Sequence, residues 1–102
     1  MKKIYNVIVR PSVLIQLDKY IRFAANVSSK FAKAIRDKFY KELYELPNNP
    51  EQYPLWQPDF ELADPYRNIL IKKRYLIIFY IEENNVFVDY LLDCRMDNTK
   101  LF

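Results

Sequence analysis

The side chains best suited to chemistry in this sequence of 102 residues are basic, and most of them gather in one short segment. Lys72, Lys73 and Arg74 are consecutive, and Arg67 precedes them with no acidic residue between. Arg95 follows nearer the carboxyl end. Such a group is suited to contact phosphate or an acidic partner, although the commoner role of a lysine-rich turn is to stay solvated and protect a sheet edge.

Ribonuclease chemistry is the most demanding use of these residues. Cleavage of RNA without a metal needs a base for the 2′-hydroxyl, a cation for the phosphorane and an acid for the leaving oxygen. Arg67 and Arg95 could supply the cation, and proton transfer would fall to Lys72 or to a tyrosine because the sequence contains no histidine. The composition therefore permits a ribonuclease without favouring one, and it leaves the catalytic residues unassigned.

Residue types that are missing exclude several other kinds of site. Without histidine there is no Ser-His-Asp or Cys-His catalysis, and without glycine there is no phosphate-binding P-loop or dinucleotide fingerprint. One cysteine, Cys94, cannot form an internal disulfide. We expect neither a metal nor a cofactor. Turns that need a positive φ are expected at the asparagines, namely Asn48, Asn49, Asn84 and Asn85.

The elements that must position these side chains follow from the apolar pattern. A strand at 3–9 is followed by two helices, of which the first starts at Pro11–Ser12 and the second is capped by Ser28 or Ser29 and ends before Pro47. A connection rich in proline then leads to three strands joined by hairpins, at 66–71, 75–81 and 86–92. The sequence predicts one α+β domain over 1–102, with a helical hairpin on one face of an antiparallel three-stranded meander.

One strand of this sheet carries more apolar residues than a single buried face requires. In residues 75–81 both sets of alternate side chains are apolar, whereas a strand covered on one face should alternate. Two helices can cover only one face, so the other must be covered by the connection 47–65, by the tail or by a partner. In the last strand, we expect this open face to carry Phe87, Asp89, Leu91 and Asp93.

The charge distribution and the apolar runs limit the location and the partners. Residues 1–50 hold ten lysines and arginines against four acids, and residues 51–102 hold six against nine. A solvated helical face is the favoured interpretation of the basic half, and a nucleic-acid footprint is the minority one. The longest apolar run, residues 75–81, is too short to span a bilayer. We expect a soluble cytoplasmic protein with no membrane partner.

Several stretches share their order and spacing with one known family. They lie at 17–21, 43–50, 53–54, 66–67, 75–84 and 86–88, and the chain closes with Asp-Cys-Arg-Met-Asp-Asn-Thr-Lys-Leu-Phe at 93–102. Together they resemble the RelE/ParE superfamily of toxins from bacterial toxin–antitoxin modules, over nearly the whole chain. The resemblance implies a growth-inhibiting toxin that forms a hetero-oligomer with a neutralising antitoxin. Its expected antitoxin contacts, on the open face, are Leu76, Ile78, Tyr80, Phe87 and Leu91.

The sequence departs from the RelE-like branch of this superfamily and is more similar to the ParE-like branch. RelE-like members cut mRNA in the ribosomal A site and usually carry an arginine after the tyrosine that opens the middle strand, where this chain has Leu76. ParE-like members poison DNA gyrase, so the resemblance implies action by binding without catalysis. The expected target contacts are Arg67, Lys72, Lys73, Arg74, Arg95 and Asp97. The alternatives are a ribosome-dependent mRNA endonuclease and a degenerate, non-toxic relative that retains antitoxin binding.

Overall fold

The computed structural model describes residues 3–58, 60–62 and 64–95. They form a four-stranded sheet with two helices packed on one face. In chain order the elements are β1 (Asn6–Val9), α1 (Pro11–Ala25), α2 (Ser29–Glu45), β2 (Arg67–Ile71), β3 (Tyr75–Glu82) and β4 (Asn85–Asp93). This order confirms the predicted α+β fold.

The limits of both helices follow from local chemistry. Pro11 occupies the first turn of α1, where its missing N–H costs no hydrogen bond. Ser28 caps α2, because its Oγ accepts a hydrogen bond from the N–H of Phe31 at 3.1 Å. The helix ends at Glu45, just before Leu46–Pro47, where proline restricts the preceding residue. The predicted starts and the predicted stop are therefore confirmed.

The sheet has the order β1-β4-β3-β2. The pairs β2–β3 and β3–β4 are antiparallel, which confirms both predicted hairpins. The short strand β1 lies parallel to β4 at the edge of the sheet, a pairing that the sequence pattern did not settle. As a result β4 is a central strand along residues 85–88, where β1 and β3 flank it.

The hairpin turns do not use asparagine where the backbone is left-handed. Lys72 and Lys73 have φ of 52° and 57°, and Glu83 has φ of 56°. The prediction that asparagines would fill these positions is wrong, because strand register fixes which residues must turn and the chain offers no glycine there. The left-handed conformation costs a residue with a Cβ on the order of 1 kcal/mol, so the turn at Lys72–Lys73 stores strain.

A β-bulge in β4 changes which side chains face the helices. Ile78 pairs with Tyr90 and Phe79 with Val88, so Asp89 has no partner on β3. The extra residue shifts the alternation by one position. Leu91 consequently joins the core under the helices, and its assignment to the open face is wrong.

The other face of the sheet is sealed at its centre by the chain itself. Ile78 and Leu92 are buried there together with Tyr66. Trp56 and Leu62, from the proline-rich connection, pack against this second cluster. The expectation that this face is open at Ile78 is therefore wrong, and its apolar character alone is no argument for a partner. The outer positions of the face are half-buried; they are Leu76, Tyr80, Phe87 and Tyr90.

Candidate functional site

A cleft opens between α1 and the carboxyl end of β4. Its volume is about 500 Å³, and three cations and one carboxylate line it together with two aromatic rings. The lining residues are Lys19, Tyr20, Phe23, Arg74, Asp93 and Arg95. An excess of positive charge beside apolar surface is suited to hold an anionic group attached to a hydrophobic one.

Strand register brings the two arginines of this cleft together. Tyr75, the first residue of β3, pairs with Asp93, the last residue of β4. Arg74 precedes the first and Arg95 follows the second, so both reach the same end of the sheet. A backbone hydrogen bond of 2.7 Å from the N–H of Cys94 to the carbonyl of Arg74 continues this pairing. We therefore find two of the predicted contact residues, Arg74 and Arg95, in one site.

Asp93 organises the charges in the cleft. It is a buried carboxylate, and Nε and Nη2 of Arg74 each lie 3.2 Å from its Oδ2. Its Oδ1 accepts the backbone N–H of Arg95 at 3.0 Å and lies 3.6 Å from Nε of that arginine. Lys19 is exposed and forms no ion pair with any residue the structure describes. The one carboxylate thus leaves the cleft with an excess of positive charge.

On the aromatic side of the cleft, Tyr20 packs against the buried ring of Tyr75. The ring centroids of Tyr20 and Tyr75 are 4.9 Å apart, and the guanidinium of Arg74 lies 5.1 Å from the ring centroid of Tyr75. Burial raises the pKa of Tyr20, against the lowering effect of hydrogen bonds with the Gln16 side chain and the Asp93 backbone. Tyr20 is therefore a neutral phenol at physiological pH, suited to hydrogen bonding rather than to proton transfer.

Arg67 does not join this site. Its Nη1 donates to the carbonyl oxygens of Tyr53, at 2.7 Å, and Glu51, at 3.3 Å, and so ties the proline-rich connection to β2. Arg67 pairs with Phe79, four residues along β3 from the position of Arg74 and Arg95. That separation corresponds to roughly 13 Å of strand. The ribonuclease set of Arg67, Arg95 and Lys72 is therefore not assembled around one point.

The remaining predicted contacts are distributed around the cleft. Lys72 and Lys73 are exposed on the turn that precedes Arg74. Asp97 lies outside the described residues. Partial burial, followed by the carboxylate of Asp93, raises the pKa of the Cys94 thiol, which keeps it protonated and a poor nucleophile. Among the described residues no group of histidine, cysteine, aspartate or glutamate could hold a metal ion.

A comparison with protein families gives one match. The model of the ParE toxin of type II toxin–antitoxin systems, parDE, matches residues 7–98. The chain belongs to the ParE toxin family. Membership implies an antitoxin as partner. A comparison with curated proteins gives no match, and no helix of the described part of the chain is long and apolar enough to cross a membrane.

In this ParE toxin the five residues expected to contact the antitoxin do not form one open surface. Leu91 lies under the helices and Ile78 is covered by the proline-rich connection. Tyr80 and Phe87 stack with ring centroids 5.1 Å apart and remain half-buried, as does Leu76. These last three are the members of the predicted set that a partner can reach.

Sequence reasoning missed the contribution of α1 to the cleft of this ParE toxin. The helical period of α1 alone does not show that Lys19 and Tyr20 line a cleft with residues of β4. The signal in the sequence was Phe23, which lies off the apolar stripe of the helix and is 61% exposed. A single exposed aromatic residue is common on protein surfaces, so this signal alone could not have located the cleft.

Proposed function

We propose that this ParE toxin arrests bacterial growth in the cytoplasm by binding and poisoning DNA gyrase, and that its antitoxin neutralises it. The family supports a toxin of a type II module. The observation that carries the binding mechanism is the separation of Arg67 from Arg95. A phosphoryl-transfer site needs its cation and proton-transfer groups within hydrogen-bond reach of one phosphate, and the tie of Arg67 to the proline-rich connection keeps it away from Arg95.

The proposed gyrase contacts are the exposed residues near the cleft. Lys72 and Lys73 project from a strained turn, and Arg95 is 65% exposed in its side chain. Asp97 remains a proposed contact from the resemblance. Arg74 and Arg67 position other groups in this proposal. Arg74 is paired with Asp93, and Arg67 donates to backbone carbonyls. Backbone strain in an exposed turn is often retained where a protein binds a partner.

An induction experiment tests this function. The chain is expressed without antitoxin in a bacterial host, and mRNA cleavage by primer extension is scored beside the DNA-damage response. We expect DNA breaks and filamentation without codon-phased mRNA cuts. Purified chain should also make gyrase accumulate linearised DNA. Codon-phased cuts lost on Arg67→Ala would overturn the proposal in favour of the endonuclease. A folded chain without toxicity would overturn it in favour of the non-toxic relative.

A matched pair of double variants locates the gyrase contact. Lys72→Ala with Lys73→Ala removes two charges from the turn, whereas Lys33→Ala with Lys41→Ala removes two from the exposed face of α2. We expect the first pair to reduce gyrase-dependent DNA cleavage by about tenfold, the range typical of interface charges. The second pair has the same net charge and should retain wild-type cleavage. Equal loss in both would show that total charge, and not the turn, matters.

A further inference from the structure

One end of the sheet gathers cations from three separate parts of the chain. Lys19 on α1 and Arg95 after β4 line the large cleft together with Arg74, and Lys72 and Lys73 are exposed on the turn directly before Arg74. Consecutive Cα atoms lie about 3.8 Å apart, so the Cα atoms of both lysines are within about 8 Å of that of Arg74. We call this group of five cations the basic end.

Little negative charge within the chain offsets the basic end. Among the residues that line the cleft and form the turn, Asp93 is the one carboxylate, and Arg74 already engages its Oδ2 through two contacts of 3.2 Å. Lys19, Lys72 and Lys73 form no ion pair with another residue that the structure describes. The basic end therefore keeps positive charge that an external anion can neutralise.

The other basic surface, on α2, differs from the basic end. This helix carries five lysines and arginines but also three carboxylates. Nζ of Lys38 lies 3.0 Å from Oε1 of Glu42, and Nε of Arg36 lies 3.6 Å from Oδ1 of Asp37. Because acidic side chains alternate with basic ones along α2, this helix attracts a polyanion less strongly than the basic end and offers matched control residues.

The residue types at the basic end favour a chain of phosphates over an acidic protein. Lysine is depleted at protein–protein interfaces, whereas protein–DNA interfaces are far more positively charged. A lysine contacts phosphate as a point charge on a flexible stem, so it needs no fixed geometry. Duplex DNA carries about one charge per 1.7 Å of its axis. Cations on three separate parts of the chain can therefore each meet a phosphate of one duplex.

The aromatic residues of the cleft favour a duplex over a single strand. Proteins bind single strands with several rings on which successive bases stack. In this cleft Tyr20 already packs on Tyr75, with the ring centroids 4.9 Å apart. Phe23, which is 61% exposed, is then the one cleft ring that is largely free for a base. A single ring cannot hold successive bases, whereas phosphate contacts to a duplex need none.

We infer that the basic end binds the phosphate backbone of duplex DNA through Lys19, Lys72, Lys73 and Arg95. The inference rests on the proposed function and deepens it, because the turn would then contact the DNA segment that gyrase holds. Arg74 is not counted as a contact, since Asp93 neutralises it. Contacts to the backbone carry no sequence information, so no base sequence is preferred.

The salt dependence of DNA binding tests the inference without gyrase. The full chain is titrated into a fluorescein-labelled duplex of about 20 base pairs, and fluorescence anisotropy gives the association constant at about 50 to 200 mM KCl. Four phosphate contacts predict a slope of about −3.6 in a plot of log K against log salt, or roughly a hundredfold loss of affinity over this range. Duplexes rich in A·T and in G·C should bind within about threefold of each other. A slope near zero would overturn the inference.

Three double variants assign the slope to the turn. Lys72→Ala with Lys73→Ala should reduce the slope to about −1.8, because two counterions fewer are released. Lys72→Arg with Lys73→Arg keeps both charges and should keep the slope. Lys33→Ala with Lys41→Ala removes the same charge from exposed positions of α2 and should also keep it. Circular dichroism verifies that each variant is folded. An equal reduction in both alanine pairs would overturn the inference, because total charge would then explain binding.

Competing polyanions distinguish duplex DNA from other partners. Unlabelled duplex should displace the probe at least about tenfold more effectively than polyglutamate of equal total charge, because fewer counterions are condensed on the polypeptide. Equal displacement by polyglutamate would overturn the inference in favour of an acidic protein surface. Tighter binding of a single-stranded DNA or RNA of the same length would overturn it in favour of a single strand.

Gyrase assays separate this inference from the proposed function. A chain that makes gyrase accumulate linearised DNA, yet shows no salt-dependent binding to the free duplex, overturns the DNA contact alone. A chain that binds the duplex with the expected slope, yet leaves gyrase unaffected, overturns the proposed target alone.

Discussion

The guanidinium of Arg74 meets the buried carboxylate of Asp93 through two contacts of 3.2 Å, from Nε and from Nη2. The side chains are 21% and 6% exposed, so most of the pair is removed from water. This ion pair joins the β2–β3 turn to the end of β4, and it fixes the cleft in which Arg95 and Lys19 stand. The shape of the cleft therefore depends on the ion pair between Arg74 and Asp93.

Removing the charge of Asp93 should destabilise the fold. Asp93→Asn leaves Arg74 largely buried without its counterion, which costs about 2 kcal/mol of the free energy of unfolding. Arg95→Gln is the comparison, because that guanidinium is 65% exposed and lies 3.6 Å from Asp93. We expect it to cost less than about 0.5 kcal/mol. Urea denaturation at pH 7 measures both, and equal losses would contradict the structural role of Arg74.

The strained turn should be relieved by glycine. Lys73→Gly and Lys73→Ala remove the same charge, but only glycine adopts a φ of 57° without steric cost. We expect the glycine variant to be more stable than the alanine variant by about 0.5–1 kcal/mol. Thermal and urea denaturation give the difference. If Lys73 contacts gyrase, both variants should lose toxicity to the same extent, since the contact depends on the charge and not on the strain.

Truncation of Ile78 tests whether the chain seals its own second face. Ile78 and Ile77 are both fully buried, one under the proline-rich connection and the other under the helices. We expect Ile78→Ala and Ile77→Ala each to cost about 3 kcal/mol, because each leaves a cavity in a packed cluster. A loss below about 1 kcal/mol for Ile78→Ala, measured by urea denaturation, would mean that the connection does not cover this face in solution.

Arg67 should act on the connection before it acts on any partner. Arg67→Ala removes two hydrogen bonds from a charged donor to backbone carbonyls, which we expect to cost about 1–2 kcal/mol. Amide exchange should become faster around residues 51–56, since the tie to β2 is lost. Asn68→Ala is the control, because its side chain makes a single longer contact of 3.4 Å to Pro54. Unchanged exchange in Arg67→Ala would contradict the positioning role.

The hydrogen bond between Tyr53 and Glu42 should make the stability of the fold fall at alkaline pH. Burial, followed by the Glu42 carboxylate, raises the pKa of Tyr53 to about 12 from its ordinary value of 10.0. Its hydroxyl donates to Oε2 of Glu42 at 3.1 Å. Because the folded chain holds this proton more tightly, the contribution is complete below pH 10 and is lost as the pH rises from 10 towards 12.

Replacing the phenol should remove that dependence. Tyr53→Phe is expected to lower the stability at pH 7 by about 1 kcal/mol and to make its decline between pH 10 and 12 shallower than in the wild type. Tyr44→Phe serves as the control, because the side chain of Tyr44 is 85% exposed. Urea denaturation across this range measures both. A wild-type slope in Tyr53→Phe would assign the alkaline loss to other groups.

Signals that act within a few residues were sufficient to predict the elements. The proline at the start of α1, the Ser28 cap and Pro47 fixed the limits of the helices, and two short turns predicted two hairpins. The family also followed from the sequence, because order and spacing along the whole chain survive without any knowledge of contacts. Of the candidate site, the sequence identified Arg74 and Arg95 because basic residues stand out by type.

Tertiary structure alone decided which of these residues meet. Whether Leu91 faces the helices depends on the bulge at Asp89, and a bulge is set by packing on both faces of the sheet, not by local residue preference. Lys19 and Arg95 line the same cleft because α1 packs against β4, and no local pattern encodes that packing. The sequence determined which segments form and which family they make up, and long-range packing determined which surfaces remain for a partner.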